Sequence, residues 1–510
     1  MRTIQKYLLV ILLVISQVAM AQDSYDAWKF AQQDLFGTAR YVGMSGAFLA
    51  LGGDPSAVKD NPAALGVFRK SDFSITLDLA GERTYATWGA SPYTERNFRV
   101  SCGQANAVVN FNHAVETGLV SNSFMLGYNR IKNFNRDISV NSVPQDSSMT
   151  GYMANFSNRN GTIINPNGIT NYKVFDDINV AWLSALGYDG YLLNATSDGQ
   201  WSTILADKET VTPQYRSSER GFVDDWNLAW GGNVSNRFYF GLGATMRLME
   251  YSKEITYTEL FEKGGGFDIV NNYKVSGVGF SGVFGMIYRP VDMLRIAVSY
   301  QTPTLMNYRE KYYSDLYSTG VLNDENKVVN QDVHSPETDL IKYQLTNPMR
   351  VSAGVAATFS NRALLSVQYD FEPYSTMKYL TNSGNTNGWK TENELIRKSL
   401  KSQHSIRVGG ELFISEGFAL RAGYMVQLTA GSTNPQRYLV YNTMRTDTEY
   451  ALDNIRHYIG AGLGFRNNIV LVDLAYQYRI TRGALYPFPG SSMIDLDTSS
   501  HRVVFTFGIR

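Results

Sequence analysis

The chain has 510 residues, and 46 Lys and Arg balance 46 Asp and Glu for a formal net charge of zero. That balance, without any Lys/Arg run, supplies no basic face for phosphates, and nucleic acid is excluded as an expected partner. Cys102 is the single cysteine, so no disulfide forms within the chain, and 33 Tyr, 26 Phe and 44 Gly favour pleated, half-buried surfaces.

In chain order, residues 1–21 read as a signal peptide: Arg2 and Lys6 are its positive start, Leu8 to Ile15 its apolar core, and Ala19-Met20-Ala21 its small-x-small cleavage site. After it, no apolar run approaches the roughly 20 residues that a membrane-spanning helix needs. Residues 22–70 then form a compact unit punctuated for short helices. Asp54 caps a helix that starts at Pro55, and Asn61 with Pro62 repeats the arrangement. Gly43 and Gly46 allow close backbone approach. Helical pieces this small need outside support, and enclosure by the rest of the chain supplies it, so the unit is expected to be a plug rather than a loose tail.

From residue 73 onward, apolar and polar residues alternate. In "FYFGLGATMRL" one phase holds Phe238, Phe240, Leu242, Ala244, Met246 and Leu248, while the other holds Tyr239, Gly241, Gly243, Thr245 and Arg247. Each such segment is a strand with one greasy and one polar face. A soluble sandwich and a transmembrane barrel both use such strands, but alternation over ten or more residues suits a tilted bilayer crossing. Strands are expected near 73–88, 99–112, 119–134, 222–234, 237–257, 270–289, 293–308, 342–360, 362–378, 401–415, 417–430, 454–466, 468–482 and 500–510. Short turns alternate with long excursions at 136–221, 259–269, 309–341, 379–399, 431–452 and 483–499. That asymmetry and the even count predict an all-β fold. The expected architecture is a 14-stranded antiparallel transmembrane barrel over 71–510, in the outer membrane of Gram-negative-type cells, with the small helical plug in its lumen.

Candidate chemistry is sparse. In the longest excursion, Ile178, Ala181, Trp182, Ala185 and Leu186 fall at helical spacing. Trp182, Leu183, Leu186 and Tyr188 are either a landing patch for greasy molecules or a loop helix packed on the rim. Lumen-phase Arg247, Arg295, Arg407, Arg421 and Arg456 are candidate partners for a buried carboxylate, although lumen-phase Asp370, Glu411 and Asp473 can pair with them. Gly127 in "FMLGYNRI" is a candidate bend in the third strand. "GVGFSG" at 277–282 matches a dinucleotide fingerprint in letters alone, because no helix follows it. No metal-ligand spacing or G-x-S-x-G motif occurs, and neither a cofactor nor an enzyme activity is implied.

"GTARYVGMSGAFLALGGDPSAVKDNPAAL", with its Asn61-Pro62-Ala63 element, resembles the N-terminal hatch of the FadL family of outer-membrane transporters for long-chain fatty acids and other hydrophobic compounds. The resemblance implies a monomeric barrel, blocked by the hatch, that imports a hydrophobic small molecule. Its substrate would pass from an external groove to a pocket over the hatch and leave sideways through a kinked strand, with Asn61–Ala63 as the gate. Barrels that resemble this family also serve as adaptors of protein-secretion machines, which is the competing expectation. The chain departs from a common barrel ending, since its last residue is Arg510 rather than an aromatic one.

Overall fold

A computed structural model describes residues 24–89, 91–159, 174–176, 180–323, 325–338, 340–359, 362–431, 437, 439 and 443–510. The expected leader, residues 1–21, lies outside the described residues, as do Asp177 and Ile178. Fourteen strands form one closed antiparallel barrel. They are β1 (Asp72–Trp88), β2 (Ser91–Asn112), β3 (Leu119–Asn133, continued by Arg136–Asn141), β4 (Val211–Val234) and β5 (Phe238–Phe261). Next come β6 (Gly266–Val291), β7 (Leu294–Gln301, continued by Leu305–Leu322), β8 (Ile341–Thr346 and Arg350–Phe359), β9 (Ala363–Pro373, then Lys378–Leu380) and β10 (Ser402–Ser415). The last are β11 (Phe418–Gln427), β12 (Tyr450–Arg466), β13 (Val470–Tyr486) and β14 (Ile494–Ile509). Pairing of β1 with β14, from Phe73↔Ile509 to Thr87↔Asp495, closes the ring.

Burial decides between barrel and sandwich. On β1, Phe73, Ile75, Leu77 and Leu79 are 51, 49, 47 and 43% exposed, while Ser74, Thr76 and Asp78 between them are buried. Greasy side chains point out and polar ones in, which is stable only where the outside is lipid. Higher on the strands the phase inverts. On β5, outward Leu242 and Met246 give way to inward, buried Tyr251, Ile255 and Tyr257; on β6, outward Phe284, Phe280 and Val278 give way to inward Val275, Tyr273 and Ile269. The inversion marks the external membrane boundary, above which the barrel wall continues as a water-facing sheet with an apolar inside.

Several strands are therefore longer than the sequence indicates. Residues expected in the excursions 259–269, 309–341 and 483–499 are largely strand, and β2 begins at Ser91 rather than residue 99. At the opposite end the turns are tight. Ser235 and Asn236 of the three-residue turn between β4 and β5 both take positive φ, 51° and 56°, and Arg237 N–H closes the turn on Val234 O at 3.1 Å. Three adjacent strands are interrupted, β7 at Pro303, β8 at Pro348 and β9 after Pro373, because proline brings no N–H to the ladder. The wall stays sealed at the first two, where Asn347 N–H donates to Thr304 O at 2.8 Å and Thr302 N–H to Gly282 O at 2.9 Å.

Candidate channel and its closures

The first closure is the hatch. Helix α1 (Ser24–Ala31) precedes α2 (Ala39–Gly43), which is followed by single turns at Pro55–Lys59 and Pro62–Val67. Ser56 N–H donates to Asp54 Oδ1 and Ala63 N–H to Asn61 Oδ1, both at 3.0 Å, with Pro55 and Pro62 at the first helical position. The Asn61 amide also donates to Leu49 O at 2.9 Å, which ties the two halves of the hatch together. Wall glycines admit this unit. A Cβ on Gly241 would lie 2.3 Å from the Pro62 carbonyl carbon, and one on Gly285 would lie 1.8 Å from Asn61 Oδ1. Gly43 packs on Gly462, and Gly46 takes φ +76° where a Cβ would strike Leu35. Side chains complete the seal: Ala39 N–H donates to Thr506 Oγ1 at 2.7 Å, Arg407 to the Tyr41 hydroxyl at 2.8 Å, and Arg502 to Leu35 O at 2.7 Å.

Above the hatch, α1 fills the lumen. Phe30 packs on Phe134, Tyr251, Tyr273 and Tyr308 with ring centroids 5.3 to 6.5 Å apart. Charges hold the helix from its other side. Lys29 Nζ lies 2.8 Å from Glu219, and Arg445 reaches Asp26 and Glu310, each at 3.4 Å, and Asp447 at 2.5 Å. The five candidate lumen cations are engaged too, Arg407 with Asp60 and Asp370 at 3.3 and 2.9 Å and Arg456 with Asp34 at 3.3 Å. Arg247 grips Asp225 through two bonds of 2.8 and 2.9 Å, Arg421 lies between Glu411 and Asp473, and Arg295 donates to Leu51 O of the hatch. Arg247 and Arg421 are thus consumed by wall pairs rather than turned to an apolar chamber.

The second feature is an opening in the strand ladder of the wall. Pairing of β2 with β3 stops at Gln104↔Asn129, and residues 91–103 of β2 share a strand ladder with β1 alone. The β3 register slips between Arg130 and Lys132, and the strand breaks at Phe134–Asn135 before Arg136–Asn141 resumes along β4. Asn141 Nδ2, donating to the Tyr93 hydroxyl at 2.8 Å, bounds the opening above. The expected bend at Gly127 is displaced. Gly127 pairs in register with Asn106 and Asn227, and the irregularity begins above it, where β3 loses β2 as a neighbour. Instead, Gly127 makes room for Asn106, whose Oδ1 would be 1.9 Å from a Cβ there. Behind the opening, a cavity of about 70 Å³ lies among Lys29, Asp34, Glu82, Lys132, Arg136 and Glu219. Outside and just below it, an apolar groove of about 450 Å³ runs past Ile75, Ala105, Leu126, Trp226 and Phe507.

The third closure is external. Helices α3 (Met149–Arg159) and α4 (Trp182–Asp189) cap the wall extensions. Trp182 is 6% exposed and Leu183 and Leu186 are 0%, so they form core rather than a landing patch; Tyr188 packs edge-on to Trp201. The helix is buried all round because β-strand extensions and α3 surround it, a neighbourhood that helical spacing does not reveal. An external groove of about 550 Å³, half polar and half apolar, lies elsewhere, where Tyr152, Phe156 and Phe488 line it together with Asp146, Asn155 and Arg159. Tyr152 and Phe156 at i, i+4 are the sequence signal that locates it.

Glu259, in the external extension of β5, clasps this cap. It accepts from Met149 N–H and the Ser148 hydroxyl, both at 2.5 Å, and from the Tyr257 hydroxyl at 2.6 Å. Burial pushes its carboxyl up from 4.5 to about 7 despite those donors. A carboxyl raised on folding stabilises the clasp below its unfolded value, and that stabilisation is lost as pH rises through about 7. Amide exchange across Met149–Arg159, corrected for intrinsic rates, is expected to be faster at pH 8 than at pH 5. Glu259→Gln should flatten the difference, and an unchanged pH dependence in that variant would refute the assignment.

No family model matches the chain, and no curated protein matches it in sequence. Among solved structures, the Pseudomonas putida toluene transporter TodX matches 94% of this chain and 99% of its own, with a TM-score of 0.51 at 11% identity. A TodX deltaS2S3 mutant, described as a monoaromatic hydrocarbon channel, matches 93% and 99% with a TM-score of 0.52 at 12% identity. The chain has the fold of these channels, a closed β-barrel of fourteen strands around an N-terminal hatch.

Proposed function

We propose that the protein is a passive importer of hydrophobic small molecules that leave the lumen sideways into the bilayer. The observation that carries this reading is the unpaired stretch between β2 and β3 above Gln104 and Asn129, which faces the hatch side of the lumen and adjoins an apolar groove outside. A straight path to the periplasm is closed by the hatch, so a side exit is the shorter route for a molecule more soluble in lipid than in water. The external groove at Tyr152, Phe156 and Phe488 is the proposed first contact, with Arg159 positioned for an amphiphile's anionic end. A shift of α1 and of Asn61–Ala63 would enlarge the small cavity between them. TodX is a toluene transporter, and aromatic hydrocarbons and long-chain fatty acids are both proposed substrate classes. The barrel is proposed to work as a monomer.

The test is uptake of labelled toluene and of oleate by a bacterial host that lacks its own hydrophobic-compound channel. Ser101 faces inward on the unpaired part of β2, whereas Thr94 faces out. Ser101→Trp should lower uptake at least tenfold and Thr94→Trp should leave it unchanged. Equal uptake by both variants would sink the side exit. The charged, nearly filled lumen favours one second reading, an adaptor barrel of a protein-secretion machine. A stoichiometric protein partner on native purification, with no uptake of either compound by the wild type, would select it.

A further inference from the structure

Beneath the hatch, at the end of the tight turns, lies a bowl of about 580 Å³. Every titratable side chain that lines it is a cation: Arg40, Arg69 and Lys70 from the hatch and its link to β1, and Arg295, Arg466 and Arg510 from the wall. Three have carboxylate partners outside the lining. Arg40 lies 2.6 Å from Glu411, Arg510 lies 2.8 Å from Asp72, and Arg466 lies 3.6 Å from Asp473. The other three meet only neutral acceptors. Arg69 donates to Asn236 Oδ1 at 2.8 Å, Lys70 to Asn468 O at 3.4 Å, and Arg295 to Leu51 O. Two buried N–H groups, Arg295 Nε and Arg466 Nε, have no acceptor.

A concave site that gathers six cations, three of them without a carboxylate partner, is unfavourable when empty. Guanidinium forks match the paired oxygens of a phosphate, and Lys70 adds a mobile point charge. We propose that the bowl binds a phosphate-bearing anion and that its occupant ties the hatch to the wall. Hatch cations on one side and wall cations on the other would grip the same group. The binding needs no import activity and is independent of what crosses the barrel.

Two sources carry this chemistry, a free phosphate anion or the headgroup of an inner-leaflet phospholipid. In one arm, delipidated wild-type barrel in neutral detergent is titrated with sodium pyrophosphate at constant ionic strength, with chloride as the control. In the other, the barrel is exchanged into nanodiscs of phosphatidylglycerol or phosphatidylcholine, and retained lipid is counted by native mass spectrometry. Saturable binding in the first arm assigns a free anion, and selective retention of phosphatidylglycerol assigns a headgroup. Either should weaken at least tenfold in Arg69→Gln/Lys70→Gln, whose side chains are exposed and outside the hatch core, and in Arg295→Gln. Lys378→Gln, on the exposed external part of β9, should change nothing. Binding no stronger than the controls in both arms, or equal in the double variant and wild type, overturns the proposal.

Discussion

Gly423→Val is expected to unseat the hatch and convert a closed barrel into a conducting one. A Cβ at Gly423 would lie 2.3 Å from the Met44 carbonyl carbon and 2.6 Å from Ser45 N, which are backbone atoms with no rotamer to escape into. Gly409 stands against the same hatch segment, 2.5 Å from Met44 O, so Gly409→Val should act alike. Gly410, its neighbour in sequence, points the other way, and its nearest contact is 3.4 Å from a carbonyl. Overpacking of this kind costs about 1–3 kcal/mol. At about 1.4 kcal/mol per tenfold, the upper end moves the hatch's docked-to-undocked ratio roughly a hundredfold. Planar-bilayer recordings should show frequent large openings for Gly423→Val and Gly409→Val, and wild-type silence for Gly410→Val. Silence in all three would mean that the hatch yields without leaving.

The same glycines show how much of the site can be read from sequence. Alternation exposed the strands because the lipid-facing phase is greasy, and local turn chemistry exposed the caps at Asp54 and Asn61, since each bonds within two residues of itself. Which strand glycines serve the hatch is not local: Gly409 and Gly410 are equivalent by composition and opposite in role. Strand ends above the membrane were lost because polarity inverts there. With Tyr251 and Tyr273 inside and Glu250 and Lys274 outside, the segment reads as polar and aromatic loop. The opening beside β3 is likewise a matter of partners. Nothing within β2 announces that Ser91 to Gly103 lacks a second ladder partner, and Gly127, the expected bend, stays in register below the slip between Arg130 and Lys132. Trp182 left two readings open for the same reason, because the spacing describes a helix and its surroundings are set by distant strands.

Glu411→Gln should loosen the hatch more than removal of the larger Arg421 beside it. Five buried or half-buried groups run from hatch to wall. Arg40 grips Glu411 through bonds of 3.1 and 2.6 Å, Glu411 accepts from Arg421 at 2.7 Å, Arg421 reaches Asp473 at 2.5 Å, and Arg466 lies 3.6 Å from Asp473. The chain of charges alternates and carries one excess cation. Arg421→Met leaves two intact pairs, Arg40 with Glu411 and Arg466 with Asp473, and its cost is the lost packing and one set of bonds. Glu411→Gln instead leaves three guanidinium groups around one carboxylate and strips the hatch of its anionic anchor. Breaking a buried pair from one side costs about 3–5 kcal/mol. The expected order in guanidinium unfolding of lipid-reconstituted barrel is wild type, Arg421→Met, then Glu411→Gln, with hatch proteolysis from the tight-turn side rising in the same order. If Arg421→Met proves the weaker protein, packing rather than charge alternation holds the hatch at this wall. Gly464 would then matter chiefly as the space that lets Arg421 lie flat, since a Cβ there would fall 2.3 Å from its guanidinium.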